Sequence, residues 1–279
     1  MKAFKTYLIK SKFTGATIDD CLRNLNSFSS WCEDEKLNII KINYSDLLSY
    51  IKTLRKNDFS NNTINQKINS IRQFYKFKIQ QGKIKTNPAL NLNLKGKTKK
   101  KLFTPLKDYE MDNIYQYMLD YDPQNNRKSL FVIKRDAVLL GFIIYQCLSN
   151  KDLAILQTKD INLKQGTIYI PATKRSNERI LQLNANQILP LINYLNDINE
   201  EQLFKGRMND IIQAIFKKLK PKISMQQLRS SRIALWLKQH NIRQVQYYAG
   251  FKLLSSIEYY TEQQIDGLKK EVEKYFPLR

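Results

Sequence analysis

Close to the C-terminus three short strings stand together: Gln226-Gln227-Leu228-Arg229, then Ala249-Gly250-Phe251, then Tyr259-Tyr260-Thr261. An arginine presents a planar fork of donors that can grip a phosphate through two oxygens at once. A tyrosine hydroxyl can attack phosphorus and hold it in a covalent intermediate. The phenol is a weak nucleophile by itself, because its ordinary pKa is about 10, so neighbours must lower the cost of ionising it. These residue types suit phosphoryl chemistry on a polyanion. Residue type alone singles out no tyrosine, since the chain holds 16. Tyr259 competes with Tyr260, because a slip of one residue exchanges them.

Other polar residues could join this block, some close in sequence and some far from it. Arg232 lies three residues past Arg229, on roughly the same helical face, as a second phosphate donor or a partner in a surface ion pair. Lys174 and Arg175 occupy the turn Thr173-Lys174-Arg175-Ser176-Asn177, where a lysine is ordinarily solvated. The single histidine, His240, sits in a polar turn and reads as surface. Cys21, Cys32 and Cys147 are odd in number and lack metal-ligand spacing, which fits a reducing, intracellular compartment. Cys147 lies in an apolar run and is expected to be packed.

The elements that position these groups follow from periodicity. Residues 1–88 read as helices separated by polar turns. Leu22, Leu25, Phe28 and Trp31 share one stripe, and Leu47, Leu48, Ile51 and Leu54 another, the second beginning after Ser45 as N-cap. A third helix starts near Ser60 and stops at Gly82, with Ile64, Ile68, Ile71 and Tyr75 on its apolar side. Lys67, Arg72, Lys76 and Lys78 fall off that stripe, as a solvated basic face or as contacts to DNA. Pro88 ends this region. Residues 89–104 form a polar, basic linker carrying Lys95, Lys97, Lys99, Lys100 and Lys101. From residue 105 a second domain begins. Its stretch from Ile133 to Leu148 is apolar nearly all round, as a buried central helix must be. Ile168-Tyr169-Ile170 and Ile180-Leu181-Gln182-Leu183 change to the period of strands, and helical patterns resume at Gln187.

Composition points the same way. Forty-seven basic residues against 25 acidic leave a net charge of +22 in 279 residues, which anticipates a polyanionic partner. The N-terminus lacks the apolar core of a signal peptide. The longest apolar stretch, Ala137 to Leu148, is too short to cross a bilayer, so a soluble, cytoplasmic protein without membrane contact is expected.

The joint placement of Lys174, Arg229, Gly250 and Tyr260 resembles the C-terminal motif of tyrosine recombinases, the phage-integrase and Xer-type DNA breaking and rejoining enzymes. In that family the block runs His-x-x-Arg, then Leu-Gly-His, then a tyrosine ten residues past the glycine. The resemblance makes Tyr260 the nucleophile and Arg229 the second catalytic arginine. It makes Lys174, in Ile170-Pro171-Ala172-Thr173-Lys174, the lysine that protonates the leaving oxygen. Three family positions are altered. Both histidines are replaced, by Gln226 and Phe251, of which the first keeps an amide N–H and the second offers nothing polar. The family's first arginine follows Thr-Gly-Leu, and here Gln146-Cys147-Leu148 leads to Ser149. Arg135-Asp136 before it and Asp152-Leu153 after it secure that registration. Lys151 and Arg232 are the residues able to restore the missing charge.

The resemblance implies a mainly α protein: a helical core-binding domain (1–88), the basic linker (89–104), and an α-rich catalytic domain (105–279) with a small antiparallel sheet. The tail from Leu268 to Pro277 is expected to form a helix that packs on its own domain or docks on a neighbouring protomer. Duplex DNA is the implied partner, contacted by Lys67, Arg72, Lys76, Lys97, Lys99, Lys100, Lys101 and Arg175. The implied reaction cuts and rejoins DNA through a 3′-phosphotyrosine, without metal or other cofactor, in a tetramer on two synapsed sites. Off DNA a monomer or dimer is implied. Losing one preorganised donor costs on the order of 10²–10³ in rate, though donors acting as a unit are not additive. A weakened or context-dependent recombinase is therefore expected. The alternatives are a catalytically degenerate protein that keeps the DNA clamp, or a synapse partner of an active paralogue.

Overall fold

The computed structural model describes residues 1–95, 105–121, 130–220, 222–258 and 260. The chain divides into two compact units between residues 100 and 101.

In the first unit, apolar spacing makes the helices. The order is α1 (Lys2–Lys10), α2 (Gly15–Asp34), α3 (Tyr44–Lys56) and α4 (Asn61–Gln80). α2 buries Ile18, Cys21, Leu25, Phe28, Trp31 and Cys32 against the stripe of α4 formed by Ile64, Ile68, Ile71 and Tyr75. Each large apolar side chain taken fully out of water contributes about 1.5–3 kcal/mol, far more than helix propensity does. α1 was not expected from sequence, yet Phe4 and Leu8, one turn apart, are both buried in this core. The cap of α3 is Asn43 and not Ser45. Asn43 accepts the Asp46 backbone N–H at 3.0 Å and its own N–H is taken by the Asp46 carboxylate at 2.9 Å, which satisfies two end groups at once. Ser60 caps α4 as expected.

Packing of this unit continues beyond Pro88. Ala89 and Leu92 are buried in its core, and Asn65 exchanges two hydrogen bonds with the Leu94 backbone, at 2.9 and 3.0 Å. Proline stops a helix, but it does not stop a chain from packing. The first residues of the expected linker therefore belong to this unit.

The second unit is built around α6 (Leu130–Tyr145), buried continuously from Asp136 to Tyr145. α5 (Asp108–Leu119), α8 (Ala185–Leu195), α9 (Met208–Lys218) and α10 (Met225–Gln239) pack on it. Between α6 and α8 come α7 (Asn150–Ile155), a 3-10 turn (Thr158–Asp160), and three strands: β1 (Ile161–Asn162), β2 (Thr167–Ile170) and β3 (Arg179–Gln182). They form an antiparallel sheet in the order β1-β2-β3, with Ile168 opposite Ile161 on one side and Leu181 on the other. The period of two buries Ile168, Ile170 and Leu181, and brings Arg179 to the same buried side. α11 (Ile242–Ala249) follows, and residues 255–258 and 260 beyond it are also helical. The mainly helical fold with a small antiparallel sheet agrees with the sequence expectation. Of the three strands, β1 was not legible there. The expected tail helix at 268–277 lies outside the described residues.

Candidate active site

The buried helix α6 must end before its apolar run can turn toward solvent. The turn is made by Cys147, whose φ of +55° is unusual for a residue with a side chain. The chain then reaches Ser149, the N-cap of α7. Its hydroxyl accepts the Asp152 N–H at 3.3 Å, while its own N–H donates to the Asp152 carboxylate at 2.9 Å. From α10, the Arg229 guanidinium donates to the Cys147 carbonyl, and the Cys147 thiol donates back to the Arg229 carbonyl at 3.6 Å. Gln226 lies one turn before Arg229, so both face the same way.

Asp152 ties this turn to the sheet. It accepts the Ser176 hydroxyl at 3.0 Å and pairs with Arg179 at 3.3 Å, both side chains being buried. Burial would raise the Asp152 carboxyl, but the Arg179 guanidinium and the hydrogen bonds from Ser149 and Ser176 outweigh it and hold it below the usual range. Arg179 also donates to the Tyr248 carbonyl at 3.0 Å and the Asn177 carbonyl at 3.3 Å. Gly250 ends α11 at φ +71°, and a Cβ there would lie 2.7 Å from the Arg179 guanidinium carbon. Only glycine permits both that backbone and that approach. The Asn177 N–H donates to the Gly250 carbonyl at 2.9 Å, and Ser176 bridges to Phe251 in antiparallel fashion. The β2–β3 loop is thus fastened to the turn after α11.

These elements enclose an open cavity of about 520 Å³. Of the residues expected at the site, Ser149, Gln226, Arg229, Phe251 and Arg175 line it, together with Lys151. Lys174 is exposed on the same loop but is not in the lining. Tyr260 is half-buried and stacks on Phe251, with ring centroids 6.1 Å apart and planes at 24°. Tyr259 lies outside the described residues. Arg232 is no surface residue: its side chain is largely buried, donates to the Ile144 carbonyl at 2.8 Å, pairs with Asp108 at 3.0 Å and stacks over Tyr145. His240 is half-buried and meets Tyr248 edge-on. Sequence reasoning assigned no role to Asp152, Arg179 and Ser176. The only signal was two opposite charges set in apolar strings, 27 residues apart.

Among the expected DNA contacts, Lys76 is exposed, and Lys67 is half-buried over the Phe59 ring, where burial lowers its pKa. Arg72 is corrected. Its guanidinium donates to the Ala89 carbonyl at 3.0 Å, the Leu92 carbonyl at 2.6 Å and the Asn69 side chain at 3.1 Å, so it holds the end of its own unit. Lys97, Lys99, Lys100 and Lys101 lie outside the described residues. Among those described, no helix is long and apolar enough to cross a membrane.

Against solved structures, the chain superposes on XerH site-specific recombinase bound to palindromic difH substrate. The TM-score is 0.71, with 17% identity, 92% of this chain and 79% of that one covered. A lambda integrase tetramer bound to a Holliday junction gives a TM-score of 0.68 at 14% identity, covering 93% and 75%. Among curated relatives, tyrosine recombinase XerC of Pediococcus pentosaceus is 23% identical over 98% of this chain and 96% of its own. Tyrosine recombinase XerD of Rickettsia prowazekii is 26% identical over 68% of this chain, and the match spans 60% of that relative's length. The phage integrase N-terminal SAM-like domain profile matches residues 1–82, and the phage integrase family profile matches residues 133–266. Between them these profiles match most of the chain, with a part of each compact unit and every residue that lines the cavity, and the chain belongs to the phage integrase family, the tyrosine recombinases.

Proposed function

We propose that this chain is a site-specific DNA strand transferase that cuts and rejoins duplex DNA through a 3′-phosphotyrosine at Tyr260. The observation that carries the proposal is the convergence of Arg229, Gln226 and Phe251 on one cavity, with Tyr260 stacked on the last. The Tyr260 oxygen bonds to phosphorus, the P–O5′ bond breaks, and the phenolic proton is given up. The leaving O5′ takes a proton, for which Lys174 is the candidate donor, and rejoining reverses each step. Arg229 holds the non-bridging oxygens as negative charge builds on them. Neither Gln226 nor Phe251 can accept the phenolic proton, so the cations at the cavity must lower the cost of ionising the tyrosine.

The unit up to residue 100 is read as core-binding and the unit beyond it as catalytic, joined by the basic segment 95–104. Duplex DNA is the proposed partner, contacted through Lys67, Lys76, Arg175 and the lysines at 97, 99, 100 and 101. A tetramer on paired sites is the proposed working form, by analogy with the lambda integrase assembly.

A second reading rests on Phe251, which puts an apolar ring where a donor would help. It is a DNA-binding protein that keeps the fold without the chemistry. A nicked suicide duplex, bearing the sequence the full chain selects from a random pool, separates the two. Strand transfer requires an adduct that survives denaturation and disappears in Tyr260→Phe. Binding without adduct supports the second reading.

A further inference from the structure

The cavity has lost one arginine relative to its family, and the side chain at that position cannot make up for it. Ser149 carries no charge, and its hydroxyl oxygen and backbone N–H are both engaged with Asp152 as the cap of α7. Arg232 is excluded as a substitute, because Ile144, Asp108 and Tyr145 hold it and it does not line the cavity. Resting on the strand-transfer function proposed above, we infer that Lys151 and Arg175 together supply the cationic contact to the scissile phosphate that an arginine at position 149 would otherwise make.

Three observations support this. Both side chains line the same cavity as Ser149 and Arg229, although they come from different elements. Both residues are exposed, and among the described residues neither has a carboxylate partner, so each charge is available to a ligand. Both backbones are anchored to one buried carboxylate. Lys151 precedes Asp152 in the first turn of α7. Arg175 precedes Ser176, whose hydroxyl donates to Asp152, and the Arg175 and Ser176 N–H groups both donate to the Thr173 hydroxyl, at 3.2 and 3.0 Å. The Ser176–Asp152 hydrogen bond therefore sets the spacing of the two backbones, while the long side chains stay free to meet phosphate. Two single-point charges replace one fork, which keeps the charge and relaxes the geometry. A phosphorane with charge on its non-bridging oxygens needs the former most.

The test measures adduct formation by the full chain on two nicked suicide duplexes of its selected sequence. One has a normal scissile phosphodiester. In the other a methylphosphonate removes one non-bridging negative oxygen. Lys151→Gln and Arg175→Gln should each slow adduct formation on the phosphodiester, and the double variant should slow it about 10²–10³-fold. Lys151→Arg should retain most of the rate. On the methylphosphonate the defect of the double variant relative to wild type should vanish, because the charge it neutralised is gone. A double variant that matches wild type on the phosphodiester overturns the inference. So does one equally defective on both duplexes, which would assign the residues to DNA positioning. If wild type itself forms no adduct, the strand-transfer function fails, and that outcome is recognised from the control alone.

Discussion

The Cys147 carbonyl accepts a hydrogen bond from the Arg229 guanidinium, and the Cys147 thiol returns one to the Arg229 backbone carbonyl at 3.6 Å. The turn after α6 and the N-terminal part of α10 are thereby locked together beside the proposed phosphate site. The lock has a cost, since Cys147 has φ +55°, a region that costs a non-glycine residue about 1–2 kcal/mol.

Two substitutions at Cys147 separate strain from packing. Cys147→Gly relieves the backbone and forfeits a fully buried side chain, so stability should change by less than about 1 kcal/mol. Cys147→Ala keeps the strain and still loses the thiol, and should be the less stable of the two. Urea unfolding of the three proteins reads the order directly. An alanine variant more stable than the glycine variant contradicts this account.

Gly250 and Gly82 make a matched pair. Both have φ near +70°, but a Cβ at Gly82 meets nothing within 4 Å, whereas at Gly250 it strikes the Arg179 guanidinium. Arg179 cannot withdraw, because Asp152 and the Tyr248 carbonyl hold it. Gly82→Ala should cost about 1 kcal/mol for conformation alone. Gly250→Ala should cost at least about 3 kcal/mol in thermal or urea unfolding, since it adds a collision with a buried ion pair. Equal costs at the two sites would refute the collision.

The Asp152–Arg179 pair predicts acid sensitivity. The folded Asp152 pKa is depressed, so its contribution is complete above the unfolded carboxyl value of about 3.9 and is lost as pH falls through the lower folded value. Stability measured below about pH 4 should therefore fall more in wild type than in Asp152→Asn. At neutral pH, Arg179→Met should lose about 3–5 kcal/mol by leaving a buried carboxylate unpaired. The double variant Asp152→Asn with Arg179→Met should recover part of that loss.

Arg72 and Lys76 have the same charge and lie one turn apart, but should behave differently. Arg72→Ala should destabilise the first unit by about 1–3 kcal/mol, because the Ala89 and Leu92 carbonyls lose their donors. Lys76→Ala should leave stability unchanged. It should weaken duplex DNA binding across sequences, lowering the slope of log affinity against log salt by about 1. A salt titration in parallel with thermal melts distinguishes them.

Local pattern determined much of this protein without coordinates. A stripe repeating every three to four residues tells which helix face is buried, and α2, α4, α5 and α6 were legible from it. The change of period around Ile168 and Ile180 located β2 and β3. Arg229, Gly250 and Tyr260 were singled out through the resemblance of their spacing to the family's C-terminal block. Partner choice was not legible. Arg72, Arg179 and Arg232 look alike in sequence, yet one closes the first unit, one neutralises Asp152 across 27 residues, and one caps the end of α6. A charged group finds its partner only where folding brings a carbonyl or carboxylate within about 3 Å and excludes water. Chain closure, and not local periodicity, decides that. For the same reason Arg72 came to hold the end of its own unit, and Lys151 and Arg175 came to line the space beside Ser149.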